Sequence, residues 1–168
     1  MGYITCLIGK SMSVEVRLAA KEDLEDVELI ARSLHSETVF RAIPFSSTKF
    51  QKLFAKPIDM PSIYMGFVVL CNKRVSGFCY GYIGDYYIGD KARVLTIHTF
   101  AISKDIRSTF IAGKASTALL NATISWGKAH NADFLISQVT AGIELGNANR
   151  FFVKKGAVTL GGNYALVL

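Results

Sequence analysis

The stretch Val94–Leu120 constrains the fold of this chain more than any other. It begins with an apolar segment that predicts a buried strand, continues through a short polar segment with one glycine, and ends in an Ala- and Leu-rich segment that predicts a helix. The N-terminus of a helix presents unpaired backbone N–H groups, which suit a phosphate. His98 lies within the strand just upstream. The sequence therefore predicts an anion-binding loop beside a titratable side chain.

The composition indicates a folded domain with an anionic partner. The chain has 168 residues, which suffice for one domain with a buried core. Lys and Arg number 19 and Asp and Glu 13, so the formal charge is +6. This excess favours a phosphorylated cofactor, nucleic acid or an acidic surface. Because the basic residues are scattered, we expect a solvated surface with a cofactor site rather than nucleic-acid binding.

The three cysteines, Cys6, Cys71 and Cys79, form no C-x-x-C pair, and each lies in an apolar run. This pattern favours buried, reduced cysteines in a cytoplasmic protein, and it provides no metal site. No apolar run approaches the roughly 18 residues that span a bilayer, so we expect no membrane association. Because Met12 is a candidate second start, we expect residues 1–13 to form a poorly ordered extension and residues 14–168 to form the domain.

The hydrophobic periodicity predicts a mixed α/β (α+β) domain. The predicted strands are Val14–Leu18, Ile63–Leu70, Val75–Ile83, Val94–Ile102, Phe134–Val139 and Ala157–Leu168. The predicted helices are one with Glu22 and Asp23 in its first turn, one that begins at Ser46 or Ser47 and closes at Pro57 and Pro61, a long one across Ala115–Ala129, and Asn147–Lys155. This order predicts a single, mostly antiparallel mixed sheet flanked by helices, with one right-handed crossover.

Four patches of the chain resemble the GNAT (GCN5-related) N-acetyltransferases. The first strand and helix of that family resemble VRLAAKEDLEDV, and its fourth strand resembles THTFAISKDIR. Its third helix and fifth strand resemble TALLNATISWGKAHNADFLI, and its last helix, which contains an Asn, resembles GNANRFFVKKGA. The resemblance covers residues 14–168, and the tail is also similar to GNAT-type proteins of tailed bacteriophages. It implies a single GNAT-like domain.

The resemblance implies that acetyl-CoA binds as co-substrate in a V-shaped split between the fourth and fifth strands. It implies that a small-molecule or peptide amine attacks the thioester directly, and it leaves a homodimer open. The acetyl-pantetheine would lie on the backbone of Phe100, Ala101 and Ile102. The remaining cofactor-binding residues that it implies are Arg107, Ile111, Ala112, Gly113, Lys114, Ala115 and Ser116 at the pyrophosphate, and Asn147 and Phe152 on the last helix.

The pyrophosphate loop departs from the family pattern, Gln/Arg-x-x-Gly-x-Gly/Ala. Arg107 follows the strand, but Phe110 stands three residues later, where the pattern has Gly. The loop is also about four residues longer than is usual in the family. Gly113 and Ala115 keep a Gly-x-Ala pair. Glycine lets a backbone approach phosphates closely. Two interpretations stay open: a phosphate cradle with a bulge, or a structural turn before an ordinary helix.

His98 is the candidate general base. In one branch of the family, a histidine at the matching place removes the proton of the amine through water. An ammonium cannot attack a thioester, and an imidazole is the side chain best suited to accept its proton at neutral pH. The alternative is a histidine that only hydrogen-bonds within the sheet. For His35 and His130 we expect surface or helix-capping roles.

Phe152 and Asn147, both on the predicted last helix, each allow more than one interpretation. Phe152 stands where the family often has a tyrosine that protonates the leaving thiolate, and a phenyl ring has no proton to donate. Water would then protonate the thiolate, or the protein binds acetyl-CoA without turnover. Alternatively, Tyr164, or the pair Tyr86 and Tyr87, would replace the missing tyrosine as the general acid. Asn147 either contacts the CoA arm or caps the helix.

The resemblance, with these departures from it, implies two alternative functions. The first is an acetyl-CoA-dependent N-acetyltransferase that acts on a primary amine. The alternative is a catalytically inactive GNAT-fold binding or structural protein, of viral type. Several aromatic residues follow the first helix: Phe40, Phe45, Phe50 and Phe54. They indicate either an apolar wall of the substrate pocket or core packing.

Overall fold

The computed structural model describes residues 13–139 and 142–161, and five strands within them form one sheet in sequential order. The strands are β1 (Val14–Leu18), β2 (Tyr64–Cys71), β3 (Arg74–Asp85), β4 (Arg93–Ile102) and β5 (Phe134–Ser137). The first four strands pair antiparallel, and β5 pairs parallel with β4. The predicted mixed, mostly antiparallel sheet is confirmed.

Helices cover both faces of the sheet. They are α1 (Leu24–Glu37, preceded by a 3-10 turn at Lys21–Asp23), α2 (Ser47–Asp59), α3 (Lys104–Arg107), α4 (Phe110–Ala129) and α5 (Leu145–Lys154). Phe67 and Val69 of β2 pack in a core with α4, whereas Val68 between them packs in a second core with α1 and α2. Successive side chains of a strand point to opposite faces, so the sheet separates the two cores.

Turn chemistry sets the register of the first hairpin. Asn72 and Lys73 join β2 to β3 with φ angles of 51° and 67°. Two left-handed residues in a two-residue turn match the right-handed twist of a hairpin, and Asn tolerates that conformation well. The hairpin predicted at this dipeptide is therefore confirmed.

A β-bulge interrupts the pairing of β3 with β4 where the site lies. Tyr80 pairs with Thr99 and Gly81 pairs with Ile97, so His98 is the extra residue. A Cβ at position 81 would lie 2.6 Å from the carbonyl oxygen of Thr96, so only glycine allows this close approach. A bulge bends its strand and re-aims the side chain that it carries.

The parallel ladder between β4 and β5 is short. Its last register pair joins Ile97 to Ser137, and the Gln138 N–H reaches the Ile97 carbonyl at 3.4 Å. Residues 98–102 of β4 extend beyond this ladder. The side of β4 that faces β5 therefore opens into a split at its C-terminal half.

The structure corrects the predicted pyrophosphate loop. Residues 110–116, which the sequence places in a long loop, form the first two turns of α4. Ile111, Ala115 and Leu119 recur at a spacing of four residues and are all buried against the sheet. Burying this stripe outweighs the cost of the glycine at position 113, about 1 kcal/mol. The insertion of about four residues is helix rather than loop.

Three other boundaries differ from the predictions. Helix α2 continues through Pro57 to Asp59, and β5 ends at Ser137 rather than Val139. Of the predicted last strand, residues 157–161 are not strand, and residues 162–168 lie outside the described residues, as do residues 1–12 of the predicted extension. Ser46 caps α2 as predicted, because its side chain accepts a hydrogen bond from the Lys49 N–H at 3.3 Å.

Candidate active site

A cavity of about 530 Å³ fills the split between β4 and β5. We call it the split cavity. Its walls are the C-terminal half of β4, the end of β5, the end of α1, the first two turns of α4, and α5. Its lining residues are Leu34, His35, Thr38, Phe40, His98, Thr99, Phe100, Ala101, Ile102, Arg107, Ala112, Gly113, Ser116, Ser137, Gln138, Val139, Ile143, Glu144, Asn147, Ala148, Phe151 and Phe152.

The structure brings most of the predicted site residues together around this cavity. Those that line it are His98, Phe100, Ala101, Ile102, Arg107, Ala112, Gly113, Ser116, Asn147 and Phe152. Three others lie elsewhere on α4. The side chains of Ile111 and Ala115 are buried in the core, and Lys114 is exposed with its ammonium 5.3 Å from the centre of the Phe110 ring. Ile111 and Ala115 therefore orient the helix and do not line the cavity.

The N-terminus of α4 faces the split cavity. Its N-cap residue, Thr109, is extended and accepts no capping hydrogen bond through its side chain. The Ala112 N–H donates to the Thr109 carbonyl at 3.1 Å. A Cβ on Gly113 would meet no atom within 4 Å. This end of the helix therefore combines the positive end of the helix dipole with an open backbone, which suits an anion.

Arg107 is paired with Glu37 at the end of α1. Its two terminal nitrogens donate to the Glu37 carboxylate at 2.8 and 3.1 Å, and its Nε donates to the carbonyl of Ile102 at 3.0 Å. These hydrogen bonds lower the pKa of Glu37 below its ordinary value. The guanidinium therefore links the end of β4 to the end of α1, and both of its terminal nitrogens are engaged by Glu37.

His98 lies on the bulge, exposed, with its ring between two cavities. The ring stacks on Tyr82 with a centroid distance of 5.2 Å and lies 6.2 Å from the ring of Tyr80. It lines the split cavity and also a neighbouring groove formed with Lys56 and Tyr64. Its imidazole therefore reaches solvent and the split cavity together.

His35 is a site residue that the sequence reasoning missed. It is half-buried, and it lines both the split cavity and the apolar cavity described below. Its Nε2 lies 2.6 Å from the carbonyl oxygen of Ile43, which can only accept, so Nε2 carries the proton. The signal for this position was available, because His35 follows the buried Ala31 by four residues and therefore shares its helix face. His130 does cap a helix: its Nδ1 lies 2.8 Å from the carbonyl of Trp126.

Helix α5 closes the far wall of the split cavity. Phe152 and Phe151 pack against Phe100 of β4, each with a ring-centroid distance of 5.9 Å. Asn147 is not the helix cap, because Glu144 occupies that position and accepts from the Asn147 Nδ2 at 2.9 Å. The capping interpretation of Asn147 is therefore wrong, and its side chain lies at the cavity wall.

A second cavity of about 220 Å³ adjoins the split cavity under α1 and α2. We call it the aromatic cavity. Phe45, Phe50 and Phe54 line it, while Phe40 lines the split cavity instead. The two cavities share Leu34, His35, Thr38 and Thr99. The two cavities therefore adjoin along these side chains.

Two features are absent from the described part of the chain. None of its helices is long and apolar enough to cross a membrane. Within residues 13–139 and 142–161, no three His, Cys, Asp or Glu side chains lie together in a way that could hold a metal ion.

The chain has the fold of solved N-acetyltransferases. A ribosomal-protein-alanine N-acetyltransferase from Brucella melitensis aligns over 93% of this chain and 99% of its own, at 12% identity and a TM-score of 0.66. The aminoglycoside acetyltransferase AAC(6')-Iy, solved with a bisubstrate analogue of CoA, aligns over 93% and 98%, at 14% identity and a TM-score of 0.68. A transcriptional regulator from Bacillus halodurans aligns over 93% and 100%, at 15% identity and a TM-score of 0.71.

These likenesses confirm the predicted GNAT fold. No protein-family model matches the sequence, and no curated protein matches it.

Proposed function

We propose that the chain is an acetyl-CoA-dependent N-acetyltransferase that moves the acetyl group to a primary amine by direct attack. The observation that carries this proposal is the split cavity. In one space of about 530 Å³ it joins a stretch of β4 that has no strand partner on its β5 side to an open helix N-terminus. An elongated molecule with an acyl group at one end and phosphates further along fits such a space.

The two ends of the split cavity suit different parts of acetyl-CoA. The backbone of Phe100, Ala101 and Ile102 would hold the acetyl-pantetheine, and the first turns of α4 would hold the pyrophosphate. Of the first-turn amides, that of Ala112 is taken by the Thr109 carbonyl, which leaves those of Phe110 and Ile111 for an anion, and Gly113 adds no side chain to obstruct the approach. The fold neighbour AAC(6')-Iy has been solved with CoA, which supports this use of the fold.

We propose that Arg107 positions the site rather than binding phosphate itself. Its fork is occupied by Glu37, and its Nε holds the carbonyl of Ile102 at the end of β4. Breaking a half-buried, charge-assisted pair to reach a phosphate costs free energy that a preorganised donor does not cost. Lys114 and the helix N-terminus supply the positive charge instead.

The chemistry needs two protons removed from the nitrogen, one before the attack and one lost to water as the amide forms, and one proton delivered to the sulfur. The amine nitrogen attacks the thioester carbonyl carbon, the C–N bond forms, the C–S bond breaks, and CoA leaves as a thiolate. His98, acting through water, accepts the proton of the ammonium. Phe152 has no proton to give, so water protonates the thiolate. A thiol of ordinary pKa near 8.5 makes a tolerable leaving group without an acid.

The absence of an acid at Phe152 also favours a second function, binding without turnover. The ring packs between helix α5 and β4 with Phe100 and Phe151, as a structural residue does. Amine-dependent release of free CoA thiol separates the two functions. An N-acetyltransferase releases thiol from acetyl-CoA only when an amine is added, whereas a binding protein shifts its melting temperature with acetyl-CoA and releases none.

A further inference from the structure

We propose that the aromatic cavity is the acceptor site, and that it selects an amine with a single positive charge on an apolar body of about the size of one aromatic ring. This inference rests on the proposed function and names its substrate class. It is argued from the lining, the size and the position of the cavity.

The lining of the aromatic cavity contains no Asp, Glu, Lys or Arg side chain. Its walls are mainly carbon, contributed by Phe45, Phe50, Phe54, Leu53, Pro57 and Phe78 among others. Arg32 is the charged group that packs nearby, and its guanidinium lies on the Phe45 ring at 4.6 Å from the centroid. A second ammonium, a phosphate or a carboxylate on the substrate body would lose its water there without gaining a partner of opposite charge.

The volume of the aromatic cavity fits a small ring. A cavity of about 150 Å³ lined by aliphatic and aromatic side chains holds a benzene molecule. The 220 Å³ here therefore accommodate one ring with a short chain. The surrounding rings meet at distances typical of aromatic contacts, with Phe50 lying 5.8 Å from Phe45 and 6.3 Å from Phe54.

Three polar side chains of the cavity, His35, Thr38 and Thr99, lie at the boundary with the split cavity, while Tyr80 lines the aromatic cavity alone of the two. Thr38 is already engaged, since its hydroxyl donates to the His35 carbonyl at 2.9 Å and accepts from the Phe40 N–H. His35 uses Nε2 to bind Ile43, which leaves Nδ1 as its acceptor nitrogen. Thr99 borders all three cavities of the site, next to His98 on the bulge. The amine head therefore belongs at this boundary, with its apolar body inward.

The experiment compares four amines in the thiol-release assay with the full chain. They are phenethylamine and hexylamine, which have apolar bodies, and spermidine and glucosamine, which are multiply charged or polar. We expect kcat/KM for phenethylamine to exceed those for spermidine and glucosamine by about tenfold or more, since desolvation of charge or hydroxyls opposes the latter two. Preference for spermidine or glucosamine would overturn the inference.

A cavity-filling variant tests the location. Ala31→Leu adds three carbons to a buried wall of the aromatic cavity, and we expect it to lower kcat/KM for phenethylamine about tenfold or more. Ala129→Leu, the same change at the exposed end of α4, serves as the matched control. Equal activity in the two variants would place the acceptor elsewhere.

A third measurement keeps the inference separate from the folding of the variant and from the proposed function. Saturation-transfer NMR with the wild-type chain and phenethylamine should show contacts to the ring protons of Phe45 and Phe50. Acetyl-CoA binding is measured independently by calorimetry. If acetyl-CoA does not bind, the proposed function fails. If it binds but phenethylamine contacts no aromatic ring of this cavity, only the substrate class fails.

Discussion

At the residue scale, an ion pair between a buried Asp23 and a partly exposed Arg17 explains the start of the domain. Asp23 is 4% exposed and accepts from Arg17 at 2.6 and 2.7 Å and from the Ala20 N–H at 2.8 Å. The hydrogen bonds from Arg17 lower the pKa of Asp23, against the opposing effect of burial. The sequence pattern predicted an acid that favours the helix dipole. The structure shows a carboxylate that fastens the end of β1 to the first turn before α1.

Replacing Asp23 by Asn should lower the free energy of unfolding by roughly 2–3 kcal/mol at pH 7, because a buried charged hydrogen-bond network is broken. The folded-state pKa of Asp23 is depressed, so its contribution is complete above the unfolded value near 4 and is lost as the pH falls through the folded value. In urea denaturation, the difference between the wild type and the variant should therefore stay constant above about pH 4 and vanish only as the pH falls below the depressed pKa of Asp23. The exposed Glu22→Gln change should alter stability by less than about 0.5 kcal/mol. A difference that persists unchanged into acid would contradict the assignment.

Replacing His98 by Ala should lower the kcat for acetyl transfer about a hundredfold, since general bases typically contribute that much or more. The effect should be partly offset as the pH approaches the pKa of the amine, where free amine is abundant. His130→Ala removes a histidine that stacks on Trp126 away from the split, and it should leave kcat unchanged. Steady-state rates across pH decide the point. If both variants keep the wild-type pH profile, His98 is not the base.

At the element scale, the start of α4 shows where sequence reasoning succeeds and where it stops. The strand, the helix and their order were predictable, because long apolar periodicities outweigh local exceptions. The first two turns were interpreted as a loop, because the residues from Arg107 to Ser116 were aligned with the phosphate loop of the resembling family. The burial of Ile111 against the sheet, which single-sequence periodicity does not weigh, decides in favour of helix.

The open backbone at Gly113 allows a test of whether the start of α4 binds the phosphates of acetyl-CoA. Gly113→Ala should raise the free energy of unfolding by about 0.5–1 kcal/mol, because alanine loses less backbone entropy and its Cβ meets no atom. The added methyl group should weaken acetyl-CoA binding, since it keeps phosphates from the backbone. Gly146→Ala at the start of α5, where a Cβ also meets nothing, should give the same stabilisation with unchanged affinity. Calorimetric titration distinguishes the two; equal affinities would remove Gly113 from the phosphate site.

The ion pair between Arg107 and Glu37 allows a test of whether Arg107 positions the site or binds pyrophosphate itself. Glu37→Gln should lower the free energy of unfolding by roughly 1–3 kcal/mol at pH 7 and should also weaken acetyl-CoA binding, because the end of β4 loses its anchor. A guanidinium that binds pyrophosphate directly would instead be released by this change, and affinity would rise. Acetyl-CoA titration of the purified variant reads the sign, and a rise would contradict the positioning role.

At the scale of the whole molecule, the fold was more predictable than the site. The element order, the Asn72–Lys73 hairpin and the strand–helix–strand crossover follow from local patterns. The split exists because the pairing of β4 with β5 ends at Ile97 and Ser137. No local sequence pattern predicts where that pairing ends. His35 reaches the site only because α1 packs across the sheet, so its role emerges from tertiary structure. Residues proposed to act through their backbone, such as Ala101, are predictable only through resemblance.

The measurement that tests the central claim most directly is the thermal stability of the wild-type chain in rising acetyl-CoA. Binding in the split should stabilise the fold by about 2.7 kcal/mol at a ligand concentration 100 times the dissociation constant. For a domain of this size that corresponds to a rise in melting temperature of roughly 5–10 °C. We predict such a rise, which grows with the logarithm of the ligand concentration. An unchanged melting temperature at millimolar acetyl-CoA would contradict the account.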